Sequence, residues 1–523
     1  MTPSLTTLSA VEIAAAVRDG RLSACDVTAA HVARIEALNP RLKAVYWPLF
    51  DEARRTAASI DARCGRGEAL GPLAGVPLLV KDAFATAGAP ITLGIGARRG
   101  HTASVDGPLV AALRAADAVV IGRTNVPQLM LSFETENSAF GRTLHPERDD
   151  RGCGGSSGGD AAAVAAGLAP LSLASDLLGS IRQPAHVCGV HGFKPTMGRM
   201  STIGGVNALT GMEGIVAQAG PIARTVADLE VAIDVLRRAG TSDPYVAPVP
   251  WGDAAAVDLG RLRVGLWNDD PLFTPSPAVV RATQEAAEAL RAQGAEVVPF
   301  RPEQSERGWR LCLGLISAAG AGRARRLLAG EPPIPLVARA LSVWNMPRAA
   351  RSVLAASLDA LGQPWRAKVV RASRATTVEA YWELIHDRRE YVRAVTAQLD
   401  RERIDLLVAP PHGLPALLRG TSAEVLPAAV YSFLPNLLGL PCGTVAATRV
   451  RPDEETRRPE SRERVQALAR RNELQSAGLP VGVQICARLW RDDVCLAAMR
   501  AVEAHFAKNE DYPPRRLQSQ PGE

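Results

Sequence analysis

The chain is 523 residues long, 47% apolar and 4% aromatic, with 60 Lys and Arg against 54 Asp and Glu for a net charge of +6. That apolar fraction excludes wholesale disorder, and a mild basic excess spread along the chain gives no electrostatic footprint for nucleic acid. The eight cysteines form no C-x-x-C pair and read as reduced thiols, and no apolar run reaches the roughly 18 residues of a membrane span, so a soluble cytoplasmic protein is expected.

The first expected elements are two helices over residues 7–39. Thr6 or Thr7 caps the first, Asn39-Pro40 closes the second, and a third helix follows around 52–63, so that residues 1–65 form an N-terminal helical layer. VPLLV is a short apolar run between turn residues, as a buried strand should be, and Lys81 sits at its end. A helix over 108–116 and a strand over 118–122 give the alternation of an α/β sheet with crossovers.

Residues 154–192 carry two serine-bearing glycine turns, GGSSGG and GSIR, separated by an Ala-rich apolar run too hydrophobic for a flexible linker. A strand near 214–221 and the helix TVADLEVAIDVLRRAG complete a core over 66–240, and 241–253 reads as a connection. RLRVGLW, PAVVRATQEAAEALRAQG and AEVVPF form a strand–helix–strand unit. Residues 303–403 are nearly all helical and suit a cap over a substrate site. From 404 to 523 the sheet pattern returns in IDLLVAPP and LPVGVQICA before a closing amphipathic helix, RDDVCLAAMRAVEAHF. The charged stretch RPDEETRRPESRERVQALARRNELQSAG reads as a solvated excursion. The whole chain, 1–523, is expected to be one domain.

Three kinds of chemistry are disfavoured. Gly154-x-Ser156-x-Gly158 matches the nucleophile elbow, but the preceding HPERDDRGC is no strand and no Asp-then-His pair follows. Among the histidines only His186 and His191 lie close, with Cys188 between them and no acid to complete a metal site. No phosphate-cradling glycine motif is present, so neither metal nor cofactor is expected. A Ser/Ser/Lys set remains. Serine is a weak nucleophile that needs a base, and a lysine shifted by burial from about 10.4 to about 7–8 can supply one. Lys81 suits that role; surface solvation or a salt bridge to Asp82 are its alternatives.

The lysine of GVPLLVKDAFATAG, the GGSSGG turn and SDLLGSIRQPAHVCGVHGFKPT, in that order, resemble the amidase signature family. RTNVPQLMLSF, GPIARTVADLE and LPVGVQICARLWRDDVCLAAM extend the resemblance over most of the chain. TNVPQLMLSF, YSFLPNLLGLPCG and the long helical stretch before IDLLVAP resemble the fatty acid amide hydrolase-like branch more than the glutaminase subunits of tRNA amidotransferases. The resemblance implies an α/β fold in which helices cover both faces of a central mixed twisted β-sheet, with a helical insertion. It also implies a Ser-cisSer-Lys amidase: Ser180 as nucleophile, Ser156 as bridging serine, Lys81 as base, and an acyl-enzyme intermediate. The amides of Leu177, Leu178, Gly179 and Ser180 would form the oxyanion hole.

In that scheme Ser157 is a supporting hydrogen-bonder, and Asp176 and Arg182 hold the nucleophile turn by a salt bridge. Asp160 occupies the favourable N-terminal end of a helix. Met130, Phe133, Leu177, Leu178 and Ile181 are candidates to line the acyl pocket. The expected substrate is a small lipophilic amide, fatty-acyl or aryl, with esters as a further class. A glutaminase subunit of an amidotransferase and a degenerate fold acting as a binding protein are the alternatives. Leu178 departs from the family's Gly-Gly before the nucleophile: either it trims the acyl pocket or it spoils the hole. The apolar residues of 334–365, interleaved with arginines, are candidates for peripheral membrane contact, for a homodimer interface or for packing on the core.

Overall fold

A computed structural model describes residues 4–209 and 211–513. Its strands, in chain order, are β1 Val45–Pro48, β2 Pro77–Lys81, β3 Val119–Thr124, β4 Glu136–Asn137, β5 Gly141–Arg142, β6 Leu171–Asp176, β7 His191–Lys194, β8 Gln218–Ala223, β9 Arg263–Leu266, β10 Glu296–Pro299, β11 Leu406–Ala409, β12 Cys442–Arg449 and β13 Pro480–Ala487. Eleven form one mixed sheet in the order β1-β3-β2-β6-β8-β7-β12-β13-β11-β9-β10, while β4 and β5 pair separately. Helices flank this sheet. Within the parallel stretches β3-β2-β6 and β11-β9-β10, the pairs β2-β3 and β9-β10 come from the crossovers legible in the sequence, and antiparallel pairs join the two stretches. PLLVK in β2 is buried at every position, as a central parallel strand requires.

Several local expectations are corrected. Ser9, not Thr6 or Thr7, caps the first helix, Ala10–Arg18, in a capping box with Glu12. The second helix, Ala24–Leu42, runs through Pro40 and stops at Lys43 in the left-handed conformation. Proline is tolerated in that last turn because Asn39 ties the exit down, its Oδ1 accepting the amides of Ala44 and Val45 at 2.9 Å each.

The stretch 154–192 proves more structured than a pair of turns. GGSSGG runs into the helix Gly158–Ala165, β6 follows, and a tight turn leads into the helix Arg182–Cys188 and then β7. The charged excursion is partly anchored. It contains the helix Arg464–Glu473 with Val465, Leu468 and Asn472 buried, and the Arg151 guanidinium donates to the carbonyls of Asn472, Leu474 and Gln475 at 2.6–3.1 Å.

The segment after 303 folds into the helices Ser305–Ser317, Gly322–Leu328, Pro335–Trp344, Arg348–Ala360, Pro364–Ala372 and Val378–Arg401. Within 334–365, Val337, Leu341 and Trp344 pack with Leu93, Ile95 and Leu129, and Leu358 packs with Ala367 and Val370; Val353 and Leu361 face outward. Val337, Leu341 and Trp344 are thus spent on the body of the protein, and Leu358 on the helical segment itself. Among the described residues, no helix is long and apolar enough to cross a membrane.

Candidate active site

Lys81 ends β2, beside Thr124 of β3, with its side chain wholly buried. Its Nζ donates to Ser156 Oγ at 2.8 Å, Ser157 Oγ at 2.7 Å and the Ser175 carbonyl at 3.1 Å. All three acceptors are neutral. Asp82 turns away to Arg123 and Thr92, so the salt bridge to Lys81 does not form. Burial pushes Lys81 down to about 8, against the pull of Asp160, Asp176 and Asp82. Asp160 is buried on the helix that follows GGSSGG. Its Oδ1 accepts from Thr124 Oγ1 at 2.7 Å and Ser172 Oγ at 2.6 Å, while its Oδ2 has no partner among the described residues. Burial raises this carboxyl to about 6, against the attraction of Lys81.

The first glycine turn is shaped by close approach. A Cβ on Gly155 would meet the Ser132 carbonyl oxygen at 2.5 Å, and the Gly155–Ser156 peptide is cis. The second turn lies alongside it, the Ser157 amide donating to the Ser180 carbonyl at 3.1 Å. Ser157 itself donates its hydroxyl to the Ser175 carbonyl at 3.2 Å. Ser180 is half-buried, and no hydrogen bond joins its hydroxyl to Ser156 among the described residues.

The ion pair of Asp176 and Arg182 is present, with Nε to Oδ2 at 3.0 Å and both side chains without solvent contact. Asp176 also accepts the amides of Gly179 at 2.6 Å and Ile181 at 3.1 Å, and Asn436 Nδ2 at 3.0 Å. Burial alone raises such a carboxyl; Arg182 and these donors hold it well below the usual carboxylate range. The remaining Arg182 hydrogens go to Gln484, to Asn436 and to the Ser432 carbonyl. Here one expectation changes: the Gly179 amide is committed to Asp176, leaving those of Leu177, Leu178 and Ser180 without an acceptor among the described residues.

Leu178 sits comfortably in its turn. The left-handed position is Gly179, with φ +116°, where a Cβ would also strike Ser432 Oγ at 2.7 Å; Leu178 is not among the positive-φ residues. Its side chain is 7% exposed and packs into an apolar cluster with Trp309, Tyr431 and Leu434, against which Phe133 and Leu177 also lie. Ile181 is corrected as a pocket residue: it is fully buried in the main core, close enough that a Cβ on Gly192 would meet its Cγ2 at 2.6 Å. Met130 likewise packs between core clusters.

A cavity of about 290 Å³ lies under the helical segment, lined by Leu131, Met212, Leu315, Ile316, Trp344 and Tyr381 among others. Met212, Leu315, Ile316 and Tyr381 belong to the same apolar cluster as Leu177, Leu178 and Phe133, although those three do not themselves line the cavity. Of these lining residues, Trp344 alone lies in the stretch 334–365 singled out in the sequence as a candidate contact surface. Ser432 and Asn436 could have been found: they are polar residues one turn apart on the otherwise apolar helix Val430–Leu438, and both are buried. His186 and His191 are structural, the first bonded to the Leu414 carbonyl and the Gly482 amide, the second beside Tyr512.

A buried lysine held to two serines lies next to a third serine at a strand–turn–helix junction, the kinds of group that serine-dependent acyl transfer without histidine requires. The family model described as Amidase matches residues 26–496. The chain is 32% identical over 457 residues to the fatty-acid amide hydrolase 1 of Sus scrofa, covering 86% of this chain and 79% of that protein. It is also 32% identical over 528 residues to one subunit of the glutamyl-tRNA(Gln) amidotransferase of Streptomyces coelicolor, covering 97% of each. A solved fatty acid amide hydrolase superposes with a TM-score of 0.84 at 26% identity, covering 97% of this chain and 87% of that one. The chain belongs to the amidase signature family and is an amide-hydrolysing enzyme.

Proposed function

We propose that the chain hydrolyses lipophilic amides, fatty-acyl or aryl, through Ser180, Ser156 and Lys81. The observation that carries this reading is the Lys81 ammonium site: fully buried, bonded only to neutral oxygens, and 2.8 Å from Ser156. In its uncharged form Lys81 takes the Ser156 proton as Ser156 takes that of Ser180, and Ser180 Oγ attacks the amide carbonyl. The free amides of Leu177, Leu178 and Ser180 face the developing oxyanion, each such donor being worth about 3–4 kcal/mol. The relay runs back to protonate the leaving amine, and water then cleaves the acyl-enzyme. Gly179 supports the hole indirectly, because Asp176 grips its amide and fixes the turn.

The acyl group lies in the cavity of the helical segment, part of whose wall belongs to the apolar cluster that holds Leu177, Leu178 and Phe133. Similarity over the whole chain to the amidotransferase protein motivates a second reading, a glutaminase. The largely apolar lining favours the lipophilic substrate. A fluorophosphonate probe should label Ser180 and hydrolysis of fatty-acyl anilides should vanish in Ser180→Ala. Full activity in that variant rules the assignment out. Glutamine-dependent ammonia release, together with co-purification of a second polypeptide, would favour the glutaminase.

A further inference from the structure

The cavity formed by the helices after 303 with Leu131 and Met212 contains one ionic group. Its lining is aliphatic and aromatic except for Thr376, Thr377, the Tyr381 hydroxyl and Arg323. Arg323 begins the helix Gly322–Leu328, is half-buried, and has an Nε shut off from water without a hydrogen-bond partner. No acid pairs with it among the described residues. Glu213 and Glu379, which adjoin the lining in sequence, are exposed and do not reach it. Several cations of the helical segment are paired, Lys368 with Glu306, Arg339 with Glu424, Arg371 with Asp359 and Arg401 with Glu303, whereas Arg388 shares an Nε shut off from water but does not line the cavity. Arg325 and Arg326 of the same short helix face water.

A guanidinium on an apolar wall has lost part of its hydration and, here, gained nothing in return. Its planar fork of donors matches a carboxylate two bonds at a time. Two links connect other parts of the wall with the serine turns. Leu131 precedes Ser132, whose carbonyl abuts Gly155, and the Met212–Leu315–Tyr381 side shares its cluster with Leu177 and Leu178. We propose that the cavity binds an acyl arm ending in an anionic group, a carboxylate, which Arg323 holds at the end remote from the scissile amide. This rests on the amidase reading above, and the products would be a dicarboxylic acid and an amine.

The test is the ratio of kcat/KM for ω-carboxyalkyl nitroanilides to that for alkyl nitroanilides of equal chain length. The wild-type ratio should exceed one at the best chain length. Arg323→Ala should lower it by about 10-fold or more, and Arg323→Lys, which keeps the charge but not the fork, should lower it less. Added salt should compress the wild-type ratio and leave that of Arg323→Ala in place. A wild-type ratio below one at every length, or a ratio that Arg323→Ala does not move, overturns the proposal. Ser180 labelling by a fluorophosphonate tells the two levels apart. A labelled enzyme with an unmoved ratio overturns the carboxylate assignment alone, whereas an unlabelled and inert one overturns the amidase reading and this proposal with it.

Discussion

The floor of the site and the helical segment above it solve the problem of charge in opposite ways. In the floor, Lys81, Asp160, Asp176 and Arg182 have at most a trace of solvent contact, and Asp176 and Arg182 spend nearly every donor and acceptor on each other and on the turn they hold. In the segment over 303–403 the ion pairs are at the surface, as in Arg371 with Asp359, each side chain more than 40% exposed. A buried network fixes geometry and tolerates little change, whereas exposed pairs contribute about 0–1 kcal/mol and can be exchanged freely. The division suits the proposed reading, in which Lys81 at a strand end and Ser156 and Ser180 on the turns beside the sheet would react, and groups on the helices after 303 would select the substrate.

The sharpest break should come from the reacting groups. Ser180→Ala or Lys81→Ala is expected to lower kcat by about ten-thousand-fold or more, with the two changes together little worse than either alone, because they act as one unit. Single-turnover assays on folded variants check this. Next in size is a contrast between two Asp→Asn changes. Asp176→Asn leaves the Arg182 guanidinium buried without its counter-charge and should cost about 3–5 kcal/mol in urea unfolding. Asp359→Asn removes the partner of an exposed arginine and should cost about 0–1 kcal/mol. Equal costs would dissolve the distinction between floor and cap. Between these lies Gly179→Ala. With φ at +116° and Ser432 Oγ 2.7 Å from the new methyl, it should cost about 1–3 kcal/mol and slow turnover by displacing the neighbouring amides.

The same division governs what the sequence discloses. Lys81 was legible because β2 is a continuous apolar run that ends on it, and Ser156 and Ser180 because glycine turns frame them. β6, between the two turns, was not: its LSLASD follows a run of alanines with no break in hydrophobicity, so helix and strand merge into one apolar stretch. β12 was hidden for a related reason. CGTVAATR has few branched residues, and only its place between β7 and β13 makes it a strand. The cavity was illegible in a deeper sense, since Leu131, Met212, Leu315 and Tyr381 are brought together by tertiary packing with no local pattern to mark them. The commitment of the Gly179 amide to Asp176 likewise depends on which way one peptide faces, a property no residue type encodes.

The finest test concerns how the floor sets its base. Lys81, held at about 8, must lose its proton before it can accept one, so kcat/KM should rise with pH through about 8. Among the carboxylates that favour the charged lysine, Asp160 pulls hardest. Asp160→Asn removes that charge at nearly constant shape, keeping an oxygen for Thr124 and Ser172, and should move the rise to lower pH by about one unit. Stability carries the same signature. Between about 8 and the ordinary lysine value of 10.5 the unfolded chain holds a proton that folded Lys81 has lost, so stability rises with pH across that window. Asp160 acts in reverse: raised from 3.8 to about 6, it keeps a proton that the unfolded chain has released, so stability falls as pH rises through that range. The Asn variant should abolish this fall. A substitution that merely loosened the helix after GGSSGG would lower stability at every pH and leave the kcat/KM profile where it was. A profile that does not move in Asp160→Asn therefore separates this carboxylate from the base.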